Sequence, residues 1–185
     1  MSKKITALIL ALITVLTLAS CAKEEGVPDG YKKISDDNIG YSLFVPELWE
    51  ESGPSGAIAG AGDTSKVSLM GFDAGEAMNT EEVWNTHYES LKEAFGEINL
   101  ISEGKDTYLG KNPAKEYIYT ANIAGKEYKF LQIIYFTRNE TLISSQPEAY
   151  IFTFTATTEN FEKHYESDDG EVSEIIGYVT FENDK

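Results

Sequence analysis

The stretch from Lys126 to Thr137 constrains everything else in this chain. Read as a strand, it sends Phe130, Ile134 and Phe136 to one side and Leu131, Ile133 and Tyr135 to the other. A strand that is apolar on both faces belongs in the middle of a sheet, covered on both sides. Lys115 to Asn122 reads as the strand before it, the two joined around Ala124-Gly125. Tyr150 to Thr157 reads as the strand after it, with Tyr150, Phe152 and Phe154 on one face and mostly threonines opposite. The connection from Arg138 to Glu148 is long for a hairpin, and long loops often carry function. Arg138, Asn139 and Glu140 are therefore the candidate partner-binding residues.

The remaining elements are arranged around this meander. Tyr31 to Ser35 is expected as a first strand, followed by turn chemistry at Asp36-Asp37-Asn38. Tyr41 to Val45 reads as a strand stopped by Pro46, and Lys66 to Phe72 as another. The sequence predicts a helix from about Thr80 to Phe95. Asn79 can cap it, Glu82 sits at the third helical position and Gly96 ends it. Val83, Trp84, His87, Tyr88, Leu91 and Phe95 share one face. Ile98 to Ser102 and Thr107 to Leu109 read as two short extended segments. Phe161, Tyr165, Val172, Ile175 and Ile176 share a helical phase interrupted at Asp168-Asp169-Gly170, where Glu171 can complete a new cap. Tyr178 to Phe181 would return as a last strand. The expected class is α+β: a mostly antiparallel sheet flanked by helices on both faces.

The N-terminal end carries an address. Ser2-Lys3-Lys4 is a short positive region, and Ile5 to Leu18 is an apolar run broken only by threonines. That run is shorter than the roughly 20 residues a spanning helix requires. Leu18-Ala19-Ser20-Cys21 follows, with the only cysteine of the chain at the position a lipobox demands. Small side chains let the backbone enter a protease groove, and the thiol accepts the lipid. Residues 1–20 are thus expected to be a signal peptide, Cys21 the lipid attachment site, residues 21–30 a flexible tether and residues 31–183 one domain. The plainer alternatives are a secretory signal with an incidental cysteine, or an uncleaved anchor helix. Two acyl chains, at about 0.8 kcal/mol per buried methylene, suffice for stable anchoring. The expected location is the extracytoplasmic face of the cell membrane.

Charge narrows the partners. The whole chain carries −16, and removing Lys3 and Lys4 with the signal gives −16 − 2 = −18. Phosphate backbones and anionic headgroups repel such a surface, which argues against nucleic acid and favours a protein partner with a basic surface. With Cys21 acylated, no thiol is left for disulfides, redox chemistry or metal binding.

Catalytic signatures are sparse. The two histidines, His87 and His164, each begin the tetrapeptide His-Tyr-Glu-Ser. A hydrolytic or metal-dependent enzyme using both is the alternative function. However, His87 and Glu89, like His164 and Glu166, are two apart and point to different sides of a helix. Edge-of-core packing is the plainer role for both. Gly60-Ala61-Gly62 lacks the further glycine or lysine of a nucleotide loop, and Asp63 beside it would repel phosphate. The Asp168-Asp169-Gly170 turn does not fit a calcium loop. No cofactor and no metal site is expected, beyond weak calcium binding at acidic turns.

The start Tyr41 to Glu50 (YSLFVPELWE), the helix TEEVWNTHYESLKEAF and the strand AYIFTFTAT resemble the PsbP-like (DcrB-like) family, as does the closing helix that ends in an aromatic strand. The resemblance covers roughly Tyr31 to Phe181. It implies an α/β/α sandwich with an antiparallel sheet, and a non-enzymatic accessory role, commonly binding a larger protein assembly. It places no ligand motif on individual residues here. The function expected is therefore a lipid-anchored surface protein whose domain binds a protein partner or small ligand without catalysis.

Overall fold

The computed structural model describes residues 26–34, 40–52, 58–137 and 149–181. Its centre is a seven-stranded antiparallel sheet, built around the meander that the sequence predicts. The strands are β4 (Glu50–Glu51), β5 (Ile58–Gly60), β6 (Lys66–Phe72), β7 (Ile98–Leu109), β8 (Asn112–Ile123), β9 (Lys126–Phe136) and β10 (Ala149–Ala156). Their order is β4-β5-β6-β10-β9-β8-β7. Two small ribbons adjoin it. β1 (Tyr31–Lys33) pairs with β3 (Phe44–Pro46), and β2 (Tyr41–Ser42) with β11 (Thr180–Phe181).

β9 lies between β8 and β10, and Phe130 to Ile134 are all buried. Its alternate residues feed two apolar clusters. Leu131 and Ile133 join one with Phe152, Phe154, Phe161, Val172 and Ile175. Phe130 and Ile134 join the other with Val83, Trp84, Leu91, Tyr117 and Tyr119. The double apolarity of this strand is therefore used on both sides. The β8–β9 turn places Ala124 and Gly125 at φ 52° and 83°, the two left-handed positions that suit strand twist in a two-residue hairpin.

Helix α1 (Thr80–Phe95) ends where expected, for local reasons. The Asn79 side chain accepts from the Glu82 N–H at 3.0 Å, and the Glu82 carboxylate returns to the Met78 N–H at 2.8 Å. Gly96, at φ 78°, closes the helix with its N–H on the Lys92 carbonyl. Two short helices follow β10: α2 (Thr158–Phe161), which runs into a π-helical turn (Glu162–Glu166), and α3 (Val172–Tyr178).

Several expectations need correction. The two short segments expected after α1 are one twelve-residue strand, β7. Register shifts between Leu100, Ser102 and Lys105 interrupt its pairing with β8, and Gly104 adopts φ 65° there. The strand expected over Tyr41 to Val45 is divided at the fully buried Leu43, where the chain passes from pairing with β11 to pairing with β1. Pro46 does not stop it but is the last paired residue, opposite Tyr31. Tyr178 closes α3 rather than opening the last strand. The turn at Asp36-Asp37-Asn38 lies outside the described residues. Among the described residues, no helix is long and apolar enough to cross a membrane.

Candidate functional site

Cys21 and the segment with Arg138, Asn139 and Glu140 lie outside the described residues. His87 and His164 are described, and they do not converge. His87 neighbours Trp84 in one cluster, and His164 neighbours Trp49 and Phe154 in the other.

His164 sits on the π-helical turn, which the Ser167 N–H closes onto the Glu162 carbonyl at 2.8 Å. The residue is 4 % exposed, and its ring meets Trp49 edge-on, with centroids 6.1 Å apart. Each ring nitrogen faces a carboxylate: Nδ1 is 2.8 Å from Glu171 Oε1, and Nε2 is 3.0 Å from Asp63 Oδ2. Glu171 Oε1 also accepts from Trp49 Nε1 at 3.2 Å. Glu171 was expected to cap α3; its side chain makes no cap bond and turns to the histidine instead. Asp63 accepts from the Ser65 N–H at 2.6 Å. Burial pushes the Asp63 carboxyl up, but hydrogen bonding from Ser65 and the His164 ring outweigh it. Its pKa ends below the ordinary value.

This cluster ties four segments together: the turn before β4, the β5–β6 turn, the π-helical turn and the start of α3. Gly170 lets the last two approach. A Cβ there would stand 2.7 Å from the His164 carbonyl oxygen. With both ring nitrogens engaged, His164 has no free atom to ligate a metal or take a proton from a substrate. Beside it, the Tyr165 hydroxyl donates to the buried Glu116 at 2.7 Å, and Lys105 lies 3.4 Å from the other Glu116 oxygen. Burial first, then the Glu116 contact, pushes the Tyr165 pKa up.

His87 is a half-buried residue of α1, beside Trp84, which stacks on Tyr117 with centroids 3.9 Å apart. Its Nε2 is buried with no hydrogen-bond partner among the described residues, as are the Tyr119 hydroxyl and Gln132 Oε1. Burial pushes the His87 pKa below the ordinary 6.5, and the neighbouring Gln132 amide offsets this only in part. The sign follows directly. Between the folded and unfolded pKa values the unfolded chain binds more protons, so stability falls as pH drops below about 6.5. Denaturant midpoints measured from about pH 7.5 down to about pH 5.5 should show this loss, and His87→Gln should reduce it. An equal slope in both proteins would place the titration elsewhere.

Among the described residues, no group of three or more His, Cys, Asp or Glu side chains is arranged to hold a metal ion. Sequence reasoning named His164 but missed its partners. Trp49, Asp63 and Glu171 stand 115, 101 and 7 positions away (164 − 49, 164 − 63, 171 − 164), and only the last could have been found locally.

The fold is shared with solved proteins. Cyanobacterial PsbP (CyanoP) from Synechocystis sp. PCC 6803 superposes with a TM-score of 0.52 at 11 % identity, over 89 % of this chain and 99 % of that one. The Ran-binding protein Mog1p of Saccharomyces cerevisiae superposes with a TM-score of 0.52 at 7 % identity, over 82 % and 95 %. No protein-family model and no curated protein matches the chain. The chain thus has a PsbP/Mog1-like fold.

Proposed function

We propose that this chain is a membrane-anchored surface lipoprotein whose domain binds a protein partner, or a small ligand, without catalysis. In this reading its sheet is flanked by helices on both faces in the PsbP-like manner, with α1 on one side and α2 and α3 on the other. The observation that carries the non-catalytic part is the use of the two histidines. One is held at both nitrogens by Asp63 and Glu171, and the other lies half-buried on α1 beside a different cluster. The anchor rests on Leu18-Ala19-Ser20-Cys21. The same fold in Mog1p belongs to a protein described as Ran-binding, which makes protein binding a natural use of the scaffold.

The partner's chemistry follows from charge. A domain near −18 favours a basic surface, and attraction between exposed charges fades as salt shortens the screening length. Arg138, Asn139 and Glu140 are the first residues to mutate. Two measurements test the reading. Cys21→Ser should leave the signal uncut and abolish retention as a mature-sized membrane species; a mature-sized species that still fractionates with membranes would refute lipidation. The native lipidated protein should co-purify with a basic protein that rising salt releases. Association that stays flat across ionic strength would refute the electrostatic part.

A further inference from the structure

We propose that the turn carrying Leu48 is a membrane contact, holding the domain against the bilayer at the end where its lipid tether leaves. The inference rests on the lipoprotein reading of Cys21. Three observations carry it.

The first is where the tether ends. Val27 already packs against the larger core cluster, and the Pro28 carbonyl accepts from the Tyr31 N–H at 3.2 Å. The chain is thus attached to the domain from Val27 onward. Only six positions separate Val27 from Cys21 (27 − 21). Six residues span at most about 20 Å when fully extended. The Val27–Gly30 end of the domain is therefore held close to the bilayer.

The second is what else stands at that end. β3 runs antiparallel to β1, with Pro46 opposite Tyr31, so the chain leaving β3 emerges beside the chain entering β1. The Glu47 N–H donates to the Gly30 carbonyl at 3.0 Å, and the Trp49 N–H closes the turn onto the Pro46 carbonyl at 2.9 Å. The turn tip and the tether exit are thus neighbours in space.

The third is the side chain at the tip. Leu48 is 92 % exposed, more than any other large apolar residue among those described, while the next residue, Trp49, is buried and pins the turn. The structure spends backbone bonds and a buried indole on presenting one leucine to the outside. Glu47, Glu50 and Glu51 around it are exposed, so in this proposal their carboxylates stay among headgroups and water while the leucine enters. A tethered leucine needs little affinity of its own, because the anchor supplies the local concentration. Burying it shifts the equilibrium toward contact by roughly tenfold or more.

The test uses the native lipidated protein in phosphatidylcholine vesicles with brominated acyl chains. Leu48→Cys carries an environment-sensitive fluorophore. Met78→Cys, 66 % exposed, carries the same fluorophore as control. The control lies beyond the end of β6, whereas Glu50 pairs with Gly60, opposite the start of β6, so the two probes mark opposite ends of the sheet. Brominated lipid should quench the probe at position 48 and leave that at 78 unquenched. Adding anionic lipid at low salt should weaken the quenching through the three glutamates, and salt should restore it. Quenching equal at both positions, or absent at 48 while the protein floats with the vesicles, would overturn the proposal and leave the anchor standing. A shifted emission at 48 that ignores brominated lipid would mean a protein covers the turn, and would also overturn it. Protein that does not float at all would instead overturn the lipoprotein reading, and the membrane contact with it.

Discussion

Gly110→Ala is expected to destabilise the domain by about 3–5 kcal/mol, which is a large part of what a domain of this size has. Gly110 sits in the β7–β8 turn at φ 60°, a conformation costly for any residue with a Cβ. The larger cost is steric. An added Cβ would lie 2.0 Å from the Val179 carbonyl oxygen, a backbone atom that no rotamer change can move. Retreat would stretch the bond from the Gly110 N–H to the Ile176 carbonyl, now 2.9 Å, and lift the turn from the end of α3. Gly75 separates the two causes. It has the same φ of 60° but nothing within 4 Å of a built Cβ, so Gly75→Ala should cost only about 1 kcal/mol. Urea midpoints for the two variants decide the matter. Equal losses would mean that the turn is not seated against α3.

His164→Leu comes next, with an expected loss of about 2–4 kcal/mol. Leucine fills much of the volume against Trp49 and Phe154, so the loss comes chiefly from Asp63 and Glu171, left facing an apolar side chain. Their side chains are 31 % and 26 % exposed, and water reaching them keeps the figure below that for a fully buried pair. A double-mutant cycle of His164→Gln with Glu171→Gln should give a coupling of about 1–3 kcal/mol. Acid should dissolve the same cluster. The Asp63 pKa lies below its unfolded value near 3.8, so its contribution is present above that value and is lost as pH falls through the folded pKa. His164→Leu should flatten this acid limb. A variant within about 1 kcal/mol of wild type, with no coupling, would make the cluster an accident of packing.

What could be read from the sequence was what is written locally. The α1 boundaries were legible because Asn79, Glu82 and Gly96 act within one turn of each end. The central strand was legible because alternation on two apolar faces has no other stable home. β7 was misread because its middle, Glu103-Gly104-Lys105-Asp106, has no apolar residue to mark the period of two on which strand recognition depends. The Leu43 break was invisible because the two ribbons it joins pair with segments far apart in the chain. Glu171 shows the limit most sharply. It stands at a helix start, where an acidic residue ordinarily caps, yet a histidine seven residues earlier and an indole from the turn before β4 claim its carboxylate. The partners of Asp63 were beyond reach for the same reason, since only the closed sheet brings the β5–β6 turn to the π-helical turn.

The strand order has a consequence for when this domain can come into being. β7 to β10 follow one another in sequence and lie side by side, so that half can assemble as the chain grows. β6 cannot, because its inner neighbour is β10, and Lys66 waits for Thr155. The wait at the margin is longer still: Ser42 finds its place only opposite Thr180, 138 positions later (180 − 42). Loops this long cost entropy before any contact rewards it, and such folds close late. A chain delivered from its N-terminal side therefore keeps this margin open until β11 has followed all the other strands into place.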